Sequence, residues 1–581
     1  MPKDATDKTP SESSTIEPLP VATAGIPVPE AEPALDLIVQ MEPARPSERR
    51  EIVKSASLVM LGNLGSSVLG MVRQIVVTGL GRTIAGPFNS ALSPAQTFND
   101  FLINGSVPGA LIPTFNDYSA PEKRDELRRL VFTIVNLVAL VMLAASILFL
   151  FVSPWFVNDF FVSGYTPAGK ALTLQYAQIV FFSLVALGPF AVLLAALYSL
   201  KEFGWPAFAT ASYHVGIIIG AIVGSFIGAH YYGYLGLAFG VLLGAAGEIA
   251  LLLPGIFNQR LKYMFVLDLK HPALRRILKL YAPVAFSFLV SMGLVFLDQH
   301  LASATPCASF VHKVKACGEA NFTAMRAATT LIQFPIGLVA AALSFAVLPT
   351  LSTHVREGND EQFKETLLLG IRLGLLLMIP AAAGLIVLQH PIVNLLFRHG
   401  KYTPEDTLLV ATALQNYAYQ LPFVAIDQLL IAAFYARKNT IIPVTVGFVS
   451  TLGYLVVALP FSQTIGMPAL AFANTVQNSS HAIILLVLLR LAIGSIHVRK
   501  MIPAILKILV ATAAMIALAW GLQVVLGAVS LFSANTLLGQ LLTVVLVGGL
   551  ASGVYVGGVL LLKVEEVGLL KGAVLAKLGK K

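Results

Sequence analysis

A set of residues in this chain returns 237 positions further on, and no other feature constrains the fold as much. Ala195-Ala196-Leu197-Tyr198, followed by Lys201 and Pro206, is echoed by Ala432-Ala433-Phe434-Tyr435, followed by Lys438 and Pro443. Tyr165-Thr166-Pro167 returns as Tyr402-Thr403-Pro404, and Pro154 as Pro391. Several apolar stretches separate the members of each pair. The sequence therefore reads as two related membrane-embedded halves, which is transporter architecture.

With 56% hydrophobic and 12% charged residues, the chain has about half the charged share of a soluble domain and cannot hide its apolar surface in a water-soluble globule. Stretches of roughly 18 or more apolar residues predict spans near 55–79, 87–113, 130–152, 172–199, 206–229, 233–255, 280–303, 325–350, 364–388, 405–436, 441–461, 466–490, 502–528 and 535–562. The expected fold class is an all-α polytopic membrane protein of about fourteen transmembrane helices, with two pseudo-symmetric six-helix halves and two C-terminal helices. The halves fall at 49–260 and 261–495, and 496–581 holds the extra helices and a basic tail. Residues 1–48 are rich in Pro, Glu, Ser and Thr without a signal-like apolar run, and read as a disordered cytoplasmic tail.

Lysine and arginine collect after the second, sixth, twelfth and last spans: Lys123, Arg124, Arg128 and Arg129, then Arg260 to Lys279, then Arg499 and Lys500, and last Lys571 to Lys581. Arg49, Arg50 and Lys54 precede the first span. The cytoplasmic side carries this excess, so both termini are expected in the cytoplasm of a multi-pass protein of the bacterial inner membrane. The net charge of +9 then reflects topology and contact with anionic membrane lipids, and no nucleic-acid partner is expected. No Gly-rich phosphate loop, nucleophile elbow or zinc spacing is present. The reading is therefore not an enzyme, with no cofactor and no metal.

Cys307 and Cys317, the only cysteines, lie between spans seven and eight on the predicted outer side, where a disulfide persists. Arg49-Arg50 aligns with Arg275-Arg276 at an offset of 226, but Pro113-Thr114 aligns with Pro349-Thr350 at 236. About ten residues thus entered the second half between its first two spans, and the cysteine loop is the expected insertion.

An even number of spans per half gives the halves one orientation, with the substrate path between them. Polar groups at membrane depth must face protein or water, so their helical phase marks the inner surface. Asn63, Ser66, Ser67, Gly70, Arg73 and Gln74 form such a stripe on span one, and Asn89, Ser93, Thr97, Asp100 and Asn104 on span two. Ser287, Ser291 and Asp298 on span seven, and Arg326, Thr330, Gln333 and Ser344 on span eight, answer them. A hydrated cavity lined by spans one, two, seven and eight is the expectation; the alternative is that these small polar residues only let helices pack. Arg73 suits a phosphate or carboxylate, or else pairs with Asp298 across the pseudo-axis. Asp100 suits a cation, a proton or a sugar hydroxyl, or is an acid satisfied inside the bundle. Glu248 and Asp427 read as structural, and His300 as interfacial.

Ser66-Ser67-Val68-Leu69-Gly70-Met71-Val72-Arg73 resembles the first-helix signature of the MurJ (MviN) lipid II flippase family. So do Phe334-Pro335-Ile336-Gly337 leading to Leu348-Pro349-Thr350-Leu351-Ser352, Leu396-Phe397-Arg398-His399-Gly400-Lys401-Tyr402-Thr403, and Phe434-Tyr435-Ala436-Arg437-Lys438 with Pro443. The resemblance covers roughly residues 50–500. It implies the fourteen-helix fold of the MOP exporter superfamily, moving an undecaprenyl-pyrophosphate-linked cell-wall precursor to the outer leaflet by alternating access. It also implies cavity arginines. Arg73 holds one such place, while Ser67, Asn99 and Thr330 stand at others, and Gln74 replaces the acid often found after Arg73. Arg326, one turn before Thr330, is positioned to replace lost charge. The substrate-binding candidates are Arg73, Asn99, Asp100, Asn104, Arg326 and Thr330. Asp298, placed for ion binding or charge pairing, falls where some members carry a sodium-liganding acid, but Tyr454 and Ala458 replace the polar ligands of span eleven. Open alternatives are an exporter of another polyprenyl-linked glycan, a transport-inactive scaffold that meets cell-envelope synthesis proteins through its N-terminal tail, and a soluble-drug antiporter.

Overall fold

The computed structural model describes residues 46–104, 106–227, 234–307, 316–496, 498–532 and 536–568. All but the end of the expected N-terminal tail, and the core of the cysteine loop, lie outside them. Among the described residues every regular element is a helix. The first half contains α1 (Pro46–Gly79), α2 (Arg82–Asn104), α3 (Ser106–Asn116), α4 (Arg124–Trp155), α5 (Pro167–Phe181), α6 (Leu184–Ser199), α7 (Gly204–Ile227) and α8 (Gly236–Asn258). The second contains α9 (Pro272–Ala304), α10 (Cys317–Pro335), α11 (Ala341–Arg356), α12 (Asp360–Val387), α13 (Gln389–Phe397), α14 (Pro404–Ala418), α15 (Leu421–Ala436), α16 (Ile441–Ile465) and α17 (Met467–Ile493). Two more helices, α18 (Ile502–Gly527) and α19 (Leu537–Leu561), follow. They dock on α12 and α13, where Tyr555 Oη donates to Leu376 O at 2.6 Å and Gln523 Nε2 to Val387 O at 3.2 Å.

The repeat is visible in backbone detail. Thr166 and Thr403 cap the N-termini of α5 and α14, each followed by Pro at the first helical position, where its missing N–H costs nothing. Both helices break at the same repeat position, residues 182–183 and 419–420, before α6 and α15. Those helices end alike: Lys201 and Lys438 take left-handed φ values of 59° and 57°. The next amide closes back on the helix in each, Glu202 N to Leu197 O at 2.9 Å and Asn439 N to Phe434 O at 3.0 Å. That pattern satisfies carbonyls that the helix end leaves without partners.

Nine helical segments among the described residues are long and apolar enough to cross a membrane, or ten if the pair α14 and α15, bent by 44°, is one span. The count of fourteen read from the sequence is not reached on this criterion. α1, α2, α9 and α10 fall outside it, and these are the helices that carry the polar stripes.

α7 and α8 meet along a glycine seam. Gly216 and Gly220 face Gly236, Gly240 and Gly244 so closely that a Cβ on Gly240 would lie 2.7 Å from Gly216 O. Small residues of this spacing let helix backbones approach where lipid gives no hydrophobic drive. Gly62 of α1 similarly abuts Ala207 of α7. The segment joining the halves, residues 259–271, lies strapped to α4: Asn136 Nδ2 donates to Met264 O and Val266 O at 3.2 and 3.0 Å. Tyr263 Oη donates to Asn136 Oδ1 at 3.1 Å, and Arg129 pairs with Asp268 at 3.1 Å.

A disulfide joins Cys307 to Cys317 between α9 and α10. Alkylation of the denatured, unreduced protein is expected to add no mass, and two alkyl groups should add after reduction. Intact mass spectrometry distinguishes these outcomes; alkylation before reduction would contradict the bond.

Candidate functional site

A chamber of about 270 Å³ lies between the halves. Ser93 and Thr97 of α2 form its first-half wall, and Asp298 of α9 and Arg326 and Thr329 of α10 its charged and polar centre. Tyr417 of α14, Thr451 and Tyr454 of α16, and Asn474 and Gln477 of α17 complete it. Asp298 accepts a 2.5 Å hydrogen bond from Tyr454 Oη, and Arg326 is the positive charge that acts on it. Arg326 Nη2 donates to Gln96 Oε1 at 2.7 Å, so its guanidinium ties α10 to α2 at the chamber edge. Among the described lining residues Arg326 is the single cation.

The halves are stitched together at the end of the bundle away from the basic loops. Lys401 N donates to Gly79 O at 2.9 Å, and Arg82 Nη1 to Asp406 Oδ1 at 2.6 Å. Glu319 Oε1 accepts from Thr166 N at 2.9 Å and from Thr166 Oγ1 at 2.6 Å. Gln299 Nε2 donates to Ser90 Oγ at 3.0 Å, and that hydroxyl lies 2.7 Å from Tyr165 Oη. Toward the basic end, by contrast, Asn63 and Ser67 on α1 and Gln333 on α10 are exposed. Such groups at membrane depth require water or protein.

Of the residues singled out in the sequence, the structure brings Ser93, Thr97, Asp298 and Arg326 together. Arg73 lies elsewhere: it is 4% exposed, and its charge acts on His214 of α7. In place of the expected pairing with Arg73, Asp298 is held by Tyr454 with Arg326 as its positive charge, while α1 packs against α7 and gives no described residue to the chamber lining. The expected lining by spans one, two, seven and eight is corrected accordingly. α2, α9 and α10 remain, α1 drops out, and α14, α16 and α17 enter. Asn99 is buried outside the lining, and the Thr330 hydroxyl turns back on its own helix to Arg326 O at 2.9 Å. The side chains of Asp100, Asn104, Ser287, Ser291 and Ser344 lie outside the described residues.

Glu248 is fully buried away from the chamber. Asp427 pairs with His481 Nδ1 at 2.5 Å, while His481 Nε2 contacts Pro443 O at 3.1 Å, an internal brace between α15, α16 and α17. His300 stacks on Phe160 with ring centroids 5.0 Å apart, part of the seam between halves. Tyr417, Tyr454, Asn474 and Gln477 were not anticipated as site residues. Their signal was available, since Asn474 and Gln477 lie one turn apart in the polar run Asn474–His481 of a span that is apolar on either side.

Comparison with known proteins agrees with this architecture. The family profile described as lipid II flippase MurJ matches residues 76–547. A probable lipid II flippase MurJ of Bdellovibrio bacteriovorus is 28% identical over 484 residues, covering 81% of this chain and 88% of that protein. One of Vibrio cholerae is 27% identical over 446 residues, covering 73% and 80%. Among solved structures, a lipid II flippase MurJ in an inward closed conformation superposes with a TM-score of 0.68 at 23% identity, over 86% of this chain and 98% of that one. An inward-facing multidrug-resistance MATE transporter of the MOP superfamily gives 0.62 at 16% identity, over 74% and 95%. With a profile match over most of its length and relatives aligned along both halves, this multi-pass membrane protein belongs to the MurJ lipid II flippase family.

Proposed function

We propose that this protein carries lipid II from the inner to the outer leaflet of the bacterial inner membrane by alternating access, with the basic loops and both termini in the cytoplasm. The observation that carries this reading is Arg326 in a polar chamber between two halves that are joined at one end. A pyrophosphate needs a forked cation and hydrogen-bond donors in a low-dielectric site, while a polyprenyl chain can stay in lipid. At about 270 Å³ the chamber is smaller than the roughly 300–1,000 Å³ pockets that enclose drug-sized ligands, so it takes one part of the headgroup. The remainder occupies the cleft bordered by Asn63, Ser67 and Gln333.

In this scheme Arg326 contacts the phosphate, with Ser93, Thr97, Asn474 and Gln477 as hydrogen-bonding partners. Arg73, Asn99, Asp100, Asn104 and Thr330 belong to the wider path rather than to the chamber. Asp298, held by Tyr454, supplies a counter-charge to Arg326, and Gln96 orients the guanidinium. α1, α2, α9 and α10 count as spans because their polar faces meet water and each other. A single chamber cation also suits another polyprenyl-linked glycan, so the substrate itself must be read out.

Complementation tests this. Expressed in a bacterium depleted of its resident flippase, the chain should restore growth and outer-leaflet lipid II. A well-inserted protein that restores neither overturns the proposal, and rescue of a different polyprenyl-linked glycan, identified by mass spectrometry of co-purified lipid, redirects it.

A further inference from the structure

Two contacts in the seam between the halves have a relation that neither shows alone. In α14 the N-cap Thr403 and the third helical residue Asp406 form a capping box: Asp406 Oδ2 accepts from Thr403 N at 3.0 Å and from Thr403 Oγ1 at 2.8 Å. The repeat places Thr166 and Gly169 at those positions in α5. Gly169 has no carboxylate, and Glu319 supplies one from the other half. Glu319 Oε1 accepts from Thr166 N and Thr166 Oγ1 just as Asp406 does for its own helix. A Cβ at Gly169 would run into Glu319 Oε1, so glycine is what leaves room for the visiting acid.

The exchange runs in both directions. Glu319 stands in the first turn of α10, and Arg82 begins α2, the corresponding helix of the first half. Arg82 crosses to the N-terminus of α14 and pairs with Asp406, while Glu319 crosses to the N-terminus of α5. Both acids are removed from water, Glu319 at 0% and Asp406 at 1% exposure. Carboxylates at helix N-termini are favoured by the backbone amides and the dipole there, and charge-assisted hydrogen bonds are stronger than neutral ones. We propose that Glu319 and Arg82 form a reciprocal latch: each fastens its own half to the first turn of a helix in the other, and both contacts must break whenever the halves part at the end away from the basic loops.

The proposal rests on the alternating-access reading, and its test needs no transported lipid. Ser93→Cys places a thiol in the chamber, while the native cysteines are held as a disulfide. Its rate of reaction with a membrane-impermeant maleimide added outside intact cells reports opening toward that end. Gly169→Asp is the decisive variant, because it gives α5 its own capping acid, as α14 has, and expels Glu319 by contact and like charge. Helix capping is kept and the latch is lost. Labelling should rise by about ten-fold or more in Gly169→Asp and in Glu319→Ala, the population change expected from losing a charge-assisted hydrogen bond. Arg82→Ala combined with Gly169→Asp should raise it further. If Gly169→Asp keeps the parent's thermal stability and labelling rate, or Glu319→Ala lowers stability without changing labelling, the contacts are ordinary caps and the latch is wrong. Faster labelling of the latch variants, with failure of complementation by the parent chain that keeps Ser93, would uphold the latch and reject the substrate.

Discussion

Arg326→Ala should abolish growth rescue, with outer-leaflet lipid II falling by about 100-fold or more, because the substitution removes two things together. The first is the forked donor set in the chamber, which hydroxyls and amides replace poorly for a phosphate. The second is the charge that acts on Asp298, whose remaining described partner is the hydroxyl of Tyr454. Losing this nearby positive charge leaves the buried Asp298 less compensated, so thermal stability should fall as well. Comparing variants separates the effects. Arg326→Ala with Asp298→Asn should recover much of the lost thermal stability in detergent and none of the transport. Arg326→Lys should keep stability and transport partially, as a point charge without the fork. Transport unchanged in Arg326→Ala would remove Arg326 from the mechanism.

The largest effect on folding is expected at the glycine seam. A Cβ on Gly220 would meet the backbone of Gly236 and lie 2.7 Å from Gly240 Cα, and backbone cannot swing aside as a side-chain tip can. Gly220→Leu must therefore push α7 off α8, at a cost of about 3 kcal/mol or more. The thermal midpoint in detergent should drop by roughly 10 °C. Gly553→Leu on α19 is the control, since nothing lies within 4 Å of its Cβ position and the residue is exposed. Equal midpoints for the two variants would show that the seam is not tight.

How far the sequence disclosed this molecule depended on whether a feature was local or formed across elements. The repeat could be read because capping and termination are local: Thr-Pro begins a helix and the Ala-Ala-aromatic-containing turn before Lys201 and Lys438 ends one, whatever surrounds it. Arg326 and Asp298 could be found as charges on apolar spans. The chamber's other wall was missed because Tyr454 had been read as a lost ligand, whereas its hydroxyl is the group that binds Asp298. Helical phase alone does not separate the positions of one stripe: Asn63 and Ser67 on α1 are exposed, whereas Arg73 on the same stripe is buried beside His214 of α7. The glycine spacing of α7 and α8 is present in the sequence, but which helix it faces is settled only by the fold. Glu319 could not be assigned without coordinates, because a capping acid supplied by a distant helix leaves only a negative trace, the glycine where the sister helix has Asp406.

The strap between the halves has a mechanical consequence. Because residues 263–268 are tied to α4 by hydrogen bonds and an ion pair, the tether contributes almost no slack. Under the proposed alternating access, rotation of one lobe on the other would centre on a short pivot near His271 and Pro272, where α9 starts. On that reading, travel at the far rim would follow a small angular change at this axle, with α9 as the lever arm.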